Sequence, residues 1–209
     1  LDKSLSETPL ASESMRVSAM RTSTGSLLPS GWETAQILLS AAVLGLAFTI
    51  YAGRFDPARF CWAILTVGVG FIGHELAHKY MAMRFGYWAA YQIWPIGLVL
   101  ALVSALVGFI FAALGAVRIY GIGISREEEG VISLSGSAFN MALAVAFMAL
   151  SAVIPAAPFL REGAYLNSLI AVWNCLPFMI LDGQKIFQWD KRVWALAFGT
   201  SIVLLAINY

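Results

Sequence analysis

Residues 87–117, YWAAYQIWPIGLVLALVSALVGFIFAALGAV, contain no charged side chain, and their path decides how the rest of the chain is threaded. At about 1.5 Å per helical residue the stretch is too long for one membrane crossing. Its first part, Tyr87 to Gly97, holds aromatics, Gln92 and Pro95, a composition that favours extended structure. Its second part, Leu98 to Val117, is apolar enough to span. Either Leu98–Val117 crosses the membrane, or it dips in and returns to the side it came from.

The chain on either side is of the same kind. It has 209 residues, 60% of them hydrophobic and only 12% charged; a soluble domain carries about a quarter charged. Residues 34–53, 60–73, 131–160, 163–181 and 193–209 are also free of charge. Such stretches read as membrane spans. Together with a net charge of only +1, they exclude a soluble enzyme, a disordered protein and a nucleic-acid binder that relies on a basic surface. Cys61 and Cys175 lie in apolar stretches and offer neither a disulfide framework nor a CxxC metal pattern.

The expected spans are Thr34–Tyr51, Phe60–Met83, Val131–Ile154, Ala164–Leu181 and a short Val193–Asn208. Residues 1–31, eleven of them Ser or Thr, have no apolar period and are expected to form a disordered polar tail. The integral membrane domain then covers 32–209. Arg118, Arg126 and the run Glu127–Glu129 are expected in a solvated loop.

The positive-inside rule chooses between the two paths for Leu98–Val117. If it dips and returns, ten of the thirteen Lys and Arg share one side, and only Arg54, Arg59 and Arg161 lie opposite. If it crosses, the split is six against seven, which is no bias. The expected fold is therefore an all-α polytopic membrane protein in the cell membrane. It has about five transmembrane helices, a re-entrant segment, a possible small β-hairpin and a cytoplasmic N-terminus.

The chemistry sits in the second span, at His74-Glu75-Leu76-Ala77-His78. Positions i and i+4 of a helix share a face, so both imidazoles can reach one ion while Glu75 beside them serves as a general base. His74 and His78 are the only histidines in the chain. Placing two His and a Glu inside a span is costly and needs a reason. A third ligand must be an intramembrane carboxylate. Asp182, in Asn174-Cys175-Leu176-Pro177-Phe178-Met179-Ile180-Leu181-Asp182-Gly183, is the candidate. The plainer alternative is that Asp182-Gly183 merely ends a helix at the surface. His74 lies about 21 Å past Phe60 along a helix, toward the cytoplasmic side of a core about 30 Å thick. Asp182 reaches that depth only in the re-entrant topology.

HELAH in one span, followed about a hundred residues later by N-x-x-P-x-x-x-L-D-G in another, resembles the site-2 protease family of intramembrane zinc metalloproteases. The resemblance covers Phe60 to Gly183. It implies His74, His78 and Asp182 as ligands of one Zn²⁺ per chain, Glu75 as catalytic acid and base, and a transmembrane-helix protein as substrate. Gly136-Ser137-Ala138-Phe139-Asn140 is similar to the family's small-residue segment on an intervening helix. Asn140 is then expected to donate to the substrate carbonyl; the alternative is an interhelical hydrogen bond.

The function expected is hydrolysis of peptide bonds in transmembrane substrates near the cytoplasmic side. A helical substrate must unwind locally, and Tyr87–Gly97 could then pair with it as an added strand; an interfacial aromatic belt is the alternative for that segment. Two other classes compete. A metal-binding transporter could use a His/Asp site but has no use for Glu75, and an inert adaptor of protease ancestry has no use for intact ligands.

Overall fold

The computed structural model describes residues 28–53, 56–111, 113–178 and 180–209. Residues 1–27, which make up most of the expected polar tail, lie outside the described residues, as does Arg54 of the charge count. The described chain is mostly helical. The elements in order are α1 (Gly31–Tyr51), α2 (Pro57–Arg84), β1 (Trp88–Ile93), α3 (Pro95–Leu106), β2 (Gly115–Tyr120), α4 (Arg126–Val153), α5 (Pro158–Asn174), α6 (Asp182–Trp189) and α7 (Lys191–Asn208).

Four of these helices, α1, α2, α4 and α7, are long and apolar enough to cross a membrane. The chain is therefore a multi-pass membrane protein. Helix α2 packs on α4, α4 packs on α5 and α6, and α5 packs on α7. Helix α1 lies against α2 and α3, and its inner face (Ile37, Ala41 and Leu44) joins the core around Val67 and Phe71.

The stretch 87–117 does not form one element. Trp88 pairs with Tyr120 and Ile93 with Gly115, antiparallel, so the chain returns to where it left. Between the strands α3 runs 12 residues, about 18 Å, well short of a hydrocarbon core. Two glycine turns set this excursion. Helix α2 ends with Gly86 at φ +86°, where Tyr87 N–H reaches back to Ala82 O and Gly86 N–H to Met83 O. Helix α3 ends the same way at Gly108, φ +89°, with Phe109 N–H on Ser104 O and Gly108 N–H on Ala105 O. Both are Schellman caps, which a residue with a Cβ would strain.

Two boundaries differ from expectation for identifiable reasons. The acidic run Glu127–Glu129, expected in a solvated loop, forms the first turn of α4. Ser125 and Glu128 close a capping box there, and negative charge suits a helix N-terminus. The expected span Ala164–Leu181 is helical only to Asn174. Pro177 stands three residues on, where a helix cannot continue. Asp182 consequently opens a new helix, α6, rather than ending a span.

Candidate metal centre

His74 and His78 lie one turn apart on α2, and both imidazoles face α4 and the start of α6. Gly136 of α4 makes this approach possible, because a Cβ there would collide with both histidine rings. Asp182 comes in from α6. The loop before it folds tightly on Gly183, where a Cβ would strike the Cys175 carbonyl, and Trp194 Nε1–H donates to that same oxygen at 2.8 Å.

The three ligand atoms form a small triangle. His74 Nε2 and His78 Nε2 are 2.9 Å apart, and Asp182 Oδ2 lies 3.2 and 3.1 Å from them. A tetrahedral ion with bonds of about 2.0–2.1 Å holds its ligand atoms about 3.3 Å apart, so the spacing fits one face of such an ion. The protonation of the rings points the same way. His78 Nδ1 is 2.7 Å from Ile132 O, which can only accept, so Nδ1 carries the hydrogen and Nε2 a lone pair. His74 Nδ1 is 2.7 Å from Asn140 Oδ1 and is placed alike. With both rings neutral, two lone pairs and a carboxylate converge in a buried site, a donor set that suits a metal cation. The three residues are a cluster capable of coordinating a metal ion.

Glu75 is buried beside the histidines, and its Oε2 accepts from Val117 N–H of β2 at 3.2 Å. A cavity of about 640 Å³ reaches these residues. Its wall includes Gly115, Val117 and Ile119 of β2, and Leu166 and Trp173 of α5.

Asn140, on α4, is fully buried. Its Oδ1 faces His74 Nδ1, and its Nδ2 donates to Gly70 O at 3.1 Å and Asn167 Oδ1 at 3.0 Å. Both amide hydrogens are committed between helices, so donation to a substrate carbonyl would require exchanging one of them.

The ribbon is placed differently from the sequence expectation. Strand β1, within the Tyr87–Gly97 segment expected to receive substrate, is covered along its outer edge. Tyr91 N–H donates to Glu33 Oε1 at 2.9 Å and Ile93 N–H to Gln36 Oε1 at 3.0 Å, both from α1. Strand β2 presents its outer edge to the cavity, and no further strand covers it among the described residues.

Two features escaped the sequence reading. Lys79, taken as a cytoplasmic charge, is buried and paired with buried Glu33 at 2.6 Å. Asn167 is buried against Asn140. The available signal was the polar residue itself: a lysine directly after His78 inside an apolar helix, and an asparagine seven residues before Asn174 in a charge-free stretch.

The chain is similar to a protein of the archaeon Methanocaldococcus jannaschii that bears the name of a zinc metalloprotease. The two are 36% identical over 163 residues, covering 76% of this chain and 85% of the relative. No protein-family model matches the chain, and no solved structure does.

Proposed function

The chain belongs to the site-2 protease family of intramembrane zinc metalloproteases, and from that premise we propose that it cleaves transmembrane protein substrates near the cytoplasmic side of the membrane. The observation that carries this reading is the convergence of His74, His78 and Asp182, with Glu75 beside them, on one buried cavity within apolar helices.

His74, His78 and Asp182 would hold one zinc ion. When bound, zinc polarises the scissile carbonyl and lowers the pKa of water toward about 7, which makes water a nucleophile at neutral pH. Glu75 takes the proton from the attacking water and returns it to the leaving amine nitrogen. Much of the cavity wall is apolar, with Ser133, Asn174 and Lys185 among the polar residues that line it. Asn140 acts through His74, whose ring nitrogen it receives, in preference to the substrate carbonyl.

A substrate segment must be extended to expose its carbonyl. Strand β2 is the better partner for it than β1, because the outer edge of β2 runs past Glu75. The metalloprotease domain is assigned to 32–209, with residues 87–120 entering and leaving on one side. With Lys79 set aside as a buried ion-pair partner, nine of the other twelve Lys and Arg still fall on one side of the re-entrant path, which supports a cytoplasmic N-terminus.

Zinc content and topology test this reading together. One zinc per chain is expected in the wild type and in Glu75→Gln, with strong loss in His74→Ala, His78→Ala and Asp182→Ala. Full zinc in Asp182→Ala would remove that residue from the site. In a background without Cys61 and Cys175, single cysteines near Arg84 and Arg126 should label from the same face. Labelling from opposite faces would overturn the re-entrant path.

A further inference from the structure

His78 and His74 are oriented by different means. His78 is fixed in one step by the backbone, through Ile132 O. His74 is fixed by the amide of Asn140, and an amide is two-faced. Turned over, it would present hydrogens to His74 Nδ1 and place the imidazole hydrogen on Nε2, the atom that faces the metal position. Something must hold Asn140 in one orientation.

We propose that Asn167 is a positioning residue for the metal site: it locks the Asn140 amide and, through it, the His74 tautomer that leaves Nε2 free to bind. Asn167 lies on α5, fully buried. Its Nδ2 donates to Gly163 O at 2.9 Å and Thr66 O at 3.2 Å. Both partners are backbone carbonyls, which only accept, so this end of Asn167 must be the NH₂. Its Oδ1 therefore faces Asn140 and must accept. That forces Asn140 Nδ2 toward it, and Asn140 Nδ2 also meets Gly70 O. Asn140 Oδ1 is left for His74, whose Nδ1 must carry the hydrogen. The order of donors is anchored on three carbonyls and runs across α2, α4 and α5 without a free choice.

The local fold is built around this relay. Thr66 lies in a π-helical turn, Ile64–Gly68, two turns before His74. Gly70 lets α2 come close, since a Cβ there would run into Asn167 Oδ1 and crowd Asn140 Nδ2. Groups behind a metal-binding histidine fix its ring and tautomer, and their loss costs about 10–100-fold in metal affinity.

The inference rests on the metal-site reading of the Proposed function, and the test separates the two. The chain contains only two histidines, so a nitrogen NMR spectrum of the histidine-labelled, full-length protein in detergent shows His74 against His78 as an internal control. In the zinc-free wild type both rings are expected to hold a hydrogen-bonded hydrogen on Nδ1, whatever proton the two Nε2 atoms and Asp182 share without the ion. In Asn167→Leu, which keeps the branched shape with bulkier ends and removes every hydrogen bond, Asn140 is left with Gly70 O alone, and the His74 Nδ1–H signal should shift or be lost while that of His78 stays as it was. Zinc affinity, read by competition with a chelating dye, should fall about ten-fold. Asn167→Ser is the gentler companion should the leucine variant not fold. Its hydroxyl can bond back to Gly163 O, as Ser168 does to Ala164 O, but it no longer reaches Asn140. The same His74-only change is expected. An unchanged His74 signal with unchanged zinc affinity overturns the proposal, as does an equal shift of both histidines, which would mean general loosening. A wild type that binds no zinc would instead overturn the metal-site reading, while the zinc-free spectra still decide the relay.

Discussion

The two outer edges of the ribbon receive a carboxylate each, and the carboxylates do opposite jobs. On the β1 edge, Glu33 accepts Tyr91 N–H and neutralises Lys79, so its charge is fully occupied inside the protein. On the β2 edge, Glu75 accepts Val117 N–H at a longer 3.2 Å and faces the cavity. One edge is sealed by an ion pair that ties α1 to the histidine helix. The other is open to the cavity and lies next to Glu75, the proposed proton carrier. The contrast shows how a two-stranded sheet with one usable edge arises: a helix closes the wrong side.

The same substitution at both edges should separate fold from chemistry. Glu75→Gln keeps the shape and the acceptor but cannot take a proton. Turnover of a single-span substrate should fall by about 10²–10⁴-fold with zinc retained. Glu33→Gln leaves Lys79 buried without a counter-charge, a change that costs about 3–5 kcal/mol in comparable buried pairs. It should lower the melting temperature strongly while protein that remains folded still cleaves. If Glu33→Gln lost turnover without losing stability, the division of labour between the edges would be wrong.

The next effect is smaller and concerns β2 alone. Ile119 is opposite Ala89 in the register and lies on the same edge as Val117. Proline at an outward-facing edge position removes an N–H without breaking the inner ladder. Ile119→Pro should therefore raise KM for an extended substrate. One hydrogen bond is worth about 0.5–1.5 kcal/mol, so the increase should be up to roughly ten-fold. Zinc content should not change. An unaltered KM would place the substrate elsewhere than on β2.

Much of this was legible in the sequence because it is local. The HELAH spacing specifies a shared helix face, and Asp182 was the candidate carboxylate of a charge-free stretch. The small antiparallel ribbon was expected only in outline, from the composition of Tyr87–Gly97, and its register of Trp88 with Tyr120 could not be read there. What was not legible depends on partners distant in sequence. Lys79 and Glu33 are 46 residues apart, and Asn167 meets Thr66 across 101. Counted one at a time, Lys79 is a topology marker and Asn167 a stray polar residue. Their meaning comes from a desolvated partner that only the packing brings near. The early end of α5 was foreshadowed by Pro177, but the start of α6 at Asp182 was not, because no capping side chain marks it.

The smallest expected effect tests how the sealed edge divides its load. Gln36 accepts Ile93 N–H at 3.0 Å, one residue pair along the strand from the Glu33 contact. Gln36 is only partly buried, and it carries no charge. Gln36→Leu removes one neutral hydrogen bond, and water entering at this margin can replace it. The cost should be about 0.5–1.5 kcal/mol, seen as a modest drop in melting temperature with turnover unchanged. The β1–β2 ladder itself uses the other face of β1 and should persist. The decisive comparison is with Glu33→Gln measured in the same detergent. If Gln36→Leu destabilised as much, the edge would be held by its hydrogen bonds as a row, and the buried ion pair would have no special place in closing it.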